Sequence, residues 1–434
     1  MASAGSGVQR ASEADRQVGP TGGHREAGDT GWPSLLKLPA MDSLARGLAQ
    51  LREADPEENL SAALAEKLFG PVLRTSVSRL EEFAQCPFRF FVRSGLRAGE
   101  RKVFELDARE RGSFQHDVLK TFHERLAAAG KQWRDLTPAQ AREQIRAIAV
   151  ELAEQFRGGL LRDTARTEFE ARMLGESLQD FVEVVVSWLR EQNEFDPVAA
   201  ELDFGSEGAP APAWEVDLGG GWKLALLGRI DRVDLWRKPG GGAAAALVLD
   251  YKSGNKKLDA VLVAHGVQLQ LLAYLNVLRH WADPRAVLGV ARLAPAGVFY
   301  VNLRGQYESG GTRTEALEDA GAARKRAYRH SGRFDAGILP GLDRLGRADQ
   351  FNYRLNQDGT LRKGPADAMP HAEFEKLLDR VEIQLREMGR AIFSGRARVD
   401  PYRKGAGTAC EYCDYAAVCR IDPWTHQYRV LKAE

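Results

Sequence analysis

Two aliphatic segments on either side of a turn sequence constrain the fold of this chain more than any other feature. Lys223–Trp236 and Ala244–Ser253 are predicted strands, and Lys238-Pro239-Gly240-Gly241-Gly242 between them is typical of a turn. The sequence therefore predicts an antiparallel hairpin in the middle of the chain. Because strand side chains alternate between faces, Asp231 lies in a largely apolar row with Val233.

The register of this hairpin follows from residue numbers, because paired residues in an ungapped hairpin have numbers with a constant sum. For Asp231 and Asp250 the sum is 481, and its midpoint falls between Gly240 and Gly241, inside the predicted turn. This register places the two carboxylates on adjacent strands with their Cβ atoms roughly 5 Å apart. Two such carboxylates repel, and a hard divalent cation removes the conflict by using their oxygens as ligands.

Lys252 follows Asp250 by two positions and shares its face of the strand. An ammonium there stabilises charge on an attacked phosphate or orients the attacking water. The pattern predicts a hydrolytic site for phosphodiesters, in which Asp231 and Asp250 hold Mg²⁺ or Mn²⁺ and the metal activates water. The side chain of Tyr251 points to the other face, so only its backbone carbonyl is available to the metal. The alternative interpretation is a hairpin with surface charges.

The remaining elements indicate an α/β domain with a mixed central sheet and flanking helices. In chain order we predict helices at Asp42–Leu51 and Glu58–Leu68, a helix that opens at Ser78-Arg79-Leu80-Glu81, helices at Ser113–Leu126, from Thr137-Pro138, at Ala171–Asn193 and at Ala260–Trp281, a strand at Val298–Leu303 and a helix at Ala372–Phe393. We interpret residues 1–33 as a disordered tail, 34–74 as a helical lead-in and 75–434 as the catalytic domain.

Composition excludes few classes of protein. The formal net charge of the 434 residues is +1, so a polyanion partner would need a local basic groove. The sequence contains neither an apolar run long enough to span a bilayer nor a secretory signal, which implies a cytoplasmic location. The basic run from Arg324 to Arg333 is interpreted as a solvated face, although phosphate contacts are the alternative.

The four cysteines form one pattern. Cys86 stands alone, and Cys410, Cys413 and Cys419 follow as C-x₂-C-x₅-C. In a reducing compartment metal binding explains them better than disulfides, because thiolates bind iron and zinc well. Zinc sites more often use two close pairs, so this spacing favours an iron–sulfur cluster without excluding zinc. Free buried cysteines are the remaining alternative.

Four motifs follow one another along the chain: Gly112-Ser113-Phe114-Gln115-His116, Gly228-Arg229-Ile230-Asp231-Arg232-Val233-Asp234, Asp250-Tyr251-Lys252 and Gln270-Leu271-Leu272-Ala273-Tyr274. In this order they resemble the motifs of RecB-type PD-(D/E)XK nucleases, which implies a restriction-endonuclease-like core and DNA hydrolysis, more in keeping with an exonuclease than an endonuclease. The resemblance implies that His116 joins Asp231, Asp250 and the Tyr251 carbonyl as metal ligands. It also implies that Gln270 and Tyr274 face the active site.

The cysteine pattern resembles that of iron–sulfur nucleases. That resemblance implies that Cys86, Cys410, Cys413 and Cys419 hold a [4Fe–4S] cluster joining the N- and C-terminal parts of the domain. The flanks of these cysteines and residues 60–434 in general resemble the nuclease domain of AddB-type subunits of AddAB helicase–nucleases. This implies DNA end processing in double-strand break repair by recombination, with an AddA-like helicase as partner.

Two other functions remain open. A CRISPR-adaptation-type exonuclease shares the motifs and the cluster but is a much shorter protein. A non-catalytic iron–sulfur DNA-binding module would keep the cluster and lose the metal ligands, all of which are present here. The sequence has no G-x₄-G-K-[ST] phosphate loop, so we expect no helicase motor in these 434 residues.

Overall fold

The structure, a computed structural model, describes most of the chain from residue 59 onward. The described residues are Ser43, 59–99, 104–237, 242–306, 320–362, 367–419, Ile421 and 426–433. The predicted tail (1–33), the predicted helix Asp42–Leu51 apart from Ser43, and residues 238–241 of the predicted turn lie outside them. The described residues from 59 onward belong to one compact unit.

Strands are distributed over three sheets. In chain order they are β1 (Val72–Thr75), β2 (Asp196–Phe204), β3 (Trp214–Gly219), β4 (Trp222–Leu226), β5 (Gly228–Trp236), β6 (Ala244–Lys252), β7 (Leu293–Asn302), β8 (Ser331–Asp335), β9 (Ala368–Met369), β10 (Tyr402–Lys404), β11 (Gly407–Thr408) and β12 (Arg429–Val430). The main sheet has the order β2-β5-β6-β7-β8-β9. Its β5–β6 pair is antiparallel and its β6–β7 pair is parallel, which confirms the predicted mixed sheet.

The α-helices cover the main sheet. In chain order they are α1 (Ala62–Phe69), α2 (Val77–Gln85), α3 (Pro87–Phe90), α4 (Ala108–Ala128), α5 (Pro138–Gln155), α6 (Ala165–Glu191), α7 (Ala260–Ala264), α8 (Gln270–Arg279), α9 (Arg285–Leu288), α10 (Ala320–Ala327), α11 (Leu339–Leu342), α12 (His371–Phe393) and α13 (Ala416–Cys419). None of the described helices is long and apolar enough to cross a membrane.

The central hairpin has the predicted register. The observed pairs run from Arg232 with Leu249 to Trp236 with Ala245, and every pair has the predicted number sum of 481. The same register continued by one residue sets Asp231 opposite Asp250. The sequence placed these two carboxylates correctly because an uninterrupted ladder leaves no freedom in the pairing.

The predicted strand Lys223–Trp236 is wrong as a single element. The chain leaves the small sheet β1-β4-β3 after Leu226 and enters the main sheet at Gly228. A Cβ atom at Gly228 would lie 3.0 Å from the Phe204 ring, so the close approach of β2 requires glycine at this junction. The predicted helical lead-in over residues 34–74 is followed at its end by a strand, because β1 comes after α1 and pairs with β4.

Several predicted helices begin or end at other residues in the structure, and two of these differences have a specific physical cause. The helix before Cys86 is capped by Ser76, whose hydroxyl accepts from the Arg79 amide, and not by Ser78, because β1 ends one residue earlier and the helix begins at once. The single helix predicted over Ala260–Trp281 is two helices, α7 and α8. The chain breaks at Gly266, which has a φ of +76° that few other residues adopt.

The core lies on both faces of the main sheet. One hydrophobic cluster joins the β5–β6 face that carries Val233 and Val248 to α2, α8 and α12. The other joins the opposite face, with Leu247 and Leu249, to α4, α5 and α6. Two packed helical layers therefore hold the central strands rigidly, and the polar end of β5 and β6 opens between them.

Candidate active site

The two predicted aspartates lie side by side and are almost completely buried. Asp231 is 8% exposed and Asp250 is 1% exposed. Oδ2 of Asp231 accepts from the Tyr251 amide at 2.7 Å. Burial, together with the charge of Asp250, raises the pKa of Asp231 to about 7. The two neighbouring carboxylates are thus buried together, and the charge of Asp250 disfavours ionisation of Asp231.

Lys252 completes the predicted arrangement at the end of β6. Its ammonium forms an ion pair with Oδ2 of Asp250. The other oxygen of Asp250, Oδ1, accepts from Nε2 of Gln270 at 3.1 Å. The structure therefore brings Asp231, Asp250, Lys252 and Gln270 together, while their catalytic roles stay predictions.

His116 reaches this centre from α4. Its Nε2 atom lies 3.7 Å from Oδ2 of Asp231, and its Nδ1 atom lies 2.7 Å from Oε1 of Glu201. Burial acts to lower the pKa of His116, but the hydrogen bond to Glu201 and the charges of Asp231 and Asp250 outweigh it and raise the pKa to about 9. The imidazole is therefore held between two carboxylates, with one ring nitrogen toward each.

Glu201 is a site residue that the sequence prediction missed. One donor atom from each of His116, Glu201 and Asp231 lies within 4.8 Å of the other two. Asp250 lies beside these three residues but does not belong to the group. Carboxylate oxygens with one imidazole form a donor set that Mg²⁺ and Mn²⁺ accept, so these side chains fit a hard divalent cation.

The backbone at Glu201 is strained. Glu201 has a φ of +51° in the middle of β2, where its neighbours Ala200 and Leu202 pair regularly with Arg232 and Ile230. A residue other than glycine with left-handed backbone dihedral angles costs about 1–3 kcal/mol of folding free energy. It persists only where the surrounding structure fixes that conformation. Alternating apolar residues before Gly205 mark β2 as a strand, but no sequence pattern signals this dihedral angle.

Gln270 and Tyr274 share one face of α8 and both reach the centre. Nε2 of Gln270 lies 3.4 Å from the Tyr274 hydroxyl. Tyr274 is also 5% exposed and part of the core, while its catalytic role stays a prediction. The first turn of α8 is capped from outside by Glu81, whose Oε1 accepts from the amides of Leu269 and Gln270 at 2.6 and 2.7 Å.

Glu81 is the second residue that the sequence prediction misassigned. The predicted helix start Ser78-Arg79-Leu80-Glu81 has the S-x-x-E pattern of a capping box, in which the glutamate accepts from the first residues of its own helix. The Glu81 carboxylate instead spans 189 positions to reach Gln270. Burial raises the pKa of Glu81, while the two backbone hydrogen bonds act against that effect. Glu81 therefore fixes the position of Gln270 and connects α2 to the catalytic centre.

The side chain of Tyr251 lies on the opposite face, as predicted. Its hydroxyl is 3.5 Å from the buried guanidinium of Arg232. Arg232 makes a bidentate contact with Asp234 at 2.8 Å through each nitrogen and stands over the Trp133 ring. The arginine and second aspartate of the Gly228–Asp234 motif are thus structural, since they lie on the face away from the centre.

The four cysteines lie near one another at the edge of the domain. Burial raises the pKa of the Cys410 thiol, and Cys413 and Cys419 raise it further. Burial also raises the pKa of Cys86, with an additional contribution from Cys410. Cys410 is thus within electrostatic reach of the other three thiols. Among these four described cysteines, no three sulfur atoms lie within 4.8 Å of one another.

Direct hydrogen bonds already connect the segments that carry the cysteines. The Phe88 amide donates to the Arg398 carbonyl at 3.1 Å, and the Tyr415 hydroxyl donates to the Ala98 carbonyl at 2.7 Å. The N- and C-terminal parts of the domain are therefore in contact. Their joining by a cluster stays a prediction.

Comparisons with known proteins agree with this geometry. A family model of the PD-(D/E)XK nuclease superfamily matches residues 74–420. The chain is 35% identical over 389 residues to an "ATP-dependent helicase/deoxyribonuclease" subunit of Moorella thermoacetica, covering 88% of this chain and 33% of that protein. The protein of the same name from Desulforudis audaxviator is 36% identical over 393 residues, covering 89% and 33%. The chain thus spans about a third of the length of these curated relatives.

Proposed function

This chain belongs to the PD-(D/E)XK nuclease superfamily, and on that premise we propose that it is a deoxyribonuclease that depends on Mg²⁺ or Mn²⁺ and hydrolyses phosphodiester bonds. One observation carries the proposal: Asp231 and Asp250 are buried side by side on the central hairpin, with Lys252 on the same face. Two buried carboxylates, of which Asp231 has a raised pKa, are typical of a functional site, so a chemical use explains their presence.

The side chains have separate tasks in this proposal. His116, Glu201, Asp231 and Asp250 hold the metal, which when bound supplies a nucleophilic water at neutral pH and stabilises charge on the phosphate. The Lys252 ammonium donates to a phosphate oxygen as negative charge develops there. Gln270 holds Oδ1 of Asp250 in place through its amide.

The cysteines hold a [4Fe–4S] cluster in the same proposal. Two of the four thiols, Cys86 and Cys410, have pKa values raised by burial, and binding a cation removes the cost of ionising them. One remote cysteine with three close ones, instead of two close pairs, favours a cluster over zinc.

The biological role is proposed from the relatives. Their name describes a subunit of an ATP-dependent helicase and deoxyribonuclease. We extend this to DNA end processing for double-strand break repair by recombination, with digestion from DNA ends and an AddA-like helicase as partner. A CRISPR-adaptation role gains no support from these relatives, because their shared name describes a helicase and a deoxyribonuclease.

The test is degradation of DNA by the purified chain with Mg²⁺ and without ATP. Linear single-stranded, linear double-stranded and circular DNA are compared, since only an endonuclease cuts the circle. We expect linear DNA to be degraded and Asp250→Ala to lower the rate at least about 100-fold. The control is Asp283→Ala, because Asp283 is an exposed carboxylate between α8 and α9.

Two results would contradict the proposal. If the chain binds Mg²⁺ and DNA but degrades none of the three substrates, it is a DNA-binding module or needs its helicase partner for catalysis. If Asp250→Ala is as active as Asp283→Ala, the nuclease centre lies elsewhere.

A further inference from the structure

A cationic cleft lies beside the candidate active site. We use this name for the cavity of about 540 Å³ whose walls include Lys257, Asn302, Arg326, Arg329, Arg333 and Asn352. Four lysine or arginine residues and one acidic residue, Asp367, line it. Its volume is within the range of about 300–1,000 Å³ that holds small ligands.

The cleft begins one strand away from the candidate catalytic lysine. Lys252, the last residue of β6, pairs with Asn302, the last residue of β7. Neighbouring strands are about 4.8 Å apart, and paired residues point to the same face. The Asn302 wall of the cleft therefore lies immediately beside Lys252, on the face that carries Asp250.

Two further lysines lie on the loop that leaves β6. The Lys256 ammonium is 4.8 Å from the centre of the Tyr300 ring, and the Lys252 ammonium is 5.9 Å from the same ring. The Ser331 hydroxyl, from the cleft wall, donates to the Lys256 carbonyl at 3.1 Å and anchors the loop. Lys257 follows and lines the cleft, so three ammonium groups lead from the centre into it.

Much of this positive charge is not paired with carboxylates. Among the described residues neither Lys256 nor Lys257 forms an ion pair. Arg329 donates to the carbonyls of Ala348 and Asp349, which orients its guanidinium without neutralising it. Arg333 is paired with Asp367. A dianionic or polyanionic ligand would meet uncompensated cations at fixed positions.

We propose that the cationic cleft binds the phosphate next to the scissile one on the cleaved DNA strand, together with the attached nucleoside. This inference rests on the proposed nuclease function. The cleft is lined both by cations and by the amides of Asn302 and Asn352, and these two kinds of group match the charged and uncharged parts of a nucleotide. The cleft would thus set which phosphodiester bond reaches Lys252.

Binding is tested without catalysis in the Asp250→Ala chain, by fluorescence anisotropy with a single-stranded oligonucleotide at several salt concentrations. Removal of one phosphate contact from a single strand lowers the slope of log affinity against log salt by about 0.7. We expect Lys257→Ala to lower this slope by that amount, and the double variant Lys257→Ala with Arg329→Ala to lower it by about twice as much. The matched control is Lys131→Ala, an exposed lysine after the far end of α4.

Cleavage is tested in the otherwise unchanged chain with an oligonucleotide and with bis(p-nitrophenyl) phosphate, a diester that has no neighbouring phosphate. We expect Lys257→Ala to raise KM for the oligonucleotide several-fold and to leave hydrolysis of the small diester unchanged. Equal losses on both substrates would overturn the inference, because Lys257 would then act on the centre itself.

The two hypotheses fail in different ways. If the salt slope and affinity of Lys257→Ala equal those of Lys131→Ala, the cleft does not bind a phosphate, and the nuclease function is unaffected. If the unchanged chain hydrolyses neither substrate, the proposed nuclease function fails, and the salt dependence of binding still decides the inference about the cleft.

Discussion

The centre on the hairpin and the cysteine region are both candidate metal sites, and they are built in opposite ways. Asp231 and Asp250 lie on strands of nine residues that pair over most of their length between two helical layers. Cys410, Cys413 and Cys419 lie beside strands of two or three residues and within or near a helix of four. The first region is held by its own backbone ladder, whereas the second has little regular structure of its own.

This difference indicates whether a metal would contribute chemistry or stability at each candidate site. A site that the fold alone holds in place loses only chemistry when the metal is absent. A site that short segments form from distant parts of the chain gains much of its stability from the metal. We therefore expect the hairpin centre to tolerate metal removal and the cysteine region not to.

The largest effect is expected for Asp231→Asn. Activity falls by about 100- to 1,000-fold or more, because a carboxylate ligand is lost. The metal-free chain does not become less stable. Because burial and Asp250 raise the pKa of Asp231 from 3.8 to about 7, metal-free unmodified protein loses stability as the pH rises through this window. The side-chain amide of the Asp231→Asn variant does not titrate, so the variant does not lose stability in this way as the pH rises.

The measurement is Tm in EDTA at pH 5 and pH 8, beside the rate of DNA degradation. A fall in Tm of the Asp231→Asn chain at both pH values would show that the hairpin needs its carboxylate for folding, and the comparison between the regions would break down.

Cys413→Ser is expected to have the largest effect on stability. Loss of one cluster ligand lowers Tm by roughly 5–10 °C and removes iron. The measurements are Tm, iron content and visible absorbance. The control is Tyr412→Ser, because Tyr412 is 84% exposed and puts the same new residue one position away. Unchanged Tm and unchanged metal content would contradict a structural cluster.

Glu201→Gln tests whether Glu201 is a metal ligand at the hairpin centre. Metal affinity falls by about 10- to 100-fold, because Glu201 both offers an oxygen and orients His116. Titration calorimetry with Mn²⁺ measures the loss, and Tm is expected to stay the same. The control is Glu207→Gln, an exposed glutamate in the turn after β2. Equal affinities for the two variants would remove Glu201 from the site.

Metal affinity at the hairpin centre rises with pH. In the metal-free chain the pKa of His116 is raised to about 9 and that of Asp231 to about 7, so both hold protons that a metal must displace. Below about pH 7 both protons are displaced, and each raises the affinity by up to about tenfold per pH unit; between about pH 7 and pH 9 only the His116 proton remains to be displaced. Calorimetry in buffers of different ionisation enthalpy counts the protons, and a pH-independent affinity would contradict this electrostatic picture.

Glu81→Gln is expected to have the smallest effect. The amide keeps one acceptor for the first turn of α8 but loses the charge, which costs about 1 kcal/mol and lowers kcat a few-fold. In a Gln270→Ala background the same change lowers kcat no further, because Glu81 acts through Gln270. Additive losses in the double variant would mean that Glu81 acts independently of Gln270.

The sequence predicted the local geometry of the site well. The hairpin register needed only residue numbers, because both strands and their turn are contiguous. The placement of His116, Gln270 and Tyr274 at the centre came from the motif resemblance, because their contacts with the hairpin join segments that are distant in sequence. Periodicity alone predicted only that Gln270 and Tyr274 share a helix face.

The missed features depend on partners that are distant in sequence. Glu201 reaches Asp231 by a pairing that spans the excursion through β3 and β4, and by a dihedral angle that its residue type disfavours. Glu81 caps a helix far along the chain instead of its own. The helix predicted over Ala260–Trp281 looks continuous until this external cap and Gly266 divide it. In each case a contact between residues distant in sequence, and not the local sequence pattern, determined the structure.

The distance between the cysteines along the chain also determines the order in which the two candidate metal sites are completed during synthesis. Cys410 follows Cys86 by 324 positions (410 minus 86), and at about 5–20 residues per second a ribosome needs about 16–65 s to cover them. Every predicted catalytic residue, from His116 to Tyr274, is synthesised within that interval. A nascent chain therefore carries its complete candidate nuclease centre before three of its four cysteines exist, and the proposed cluster can form only after that centre has been made.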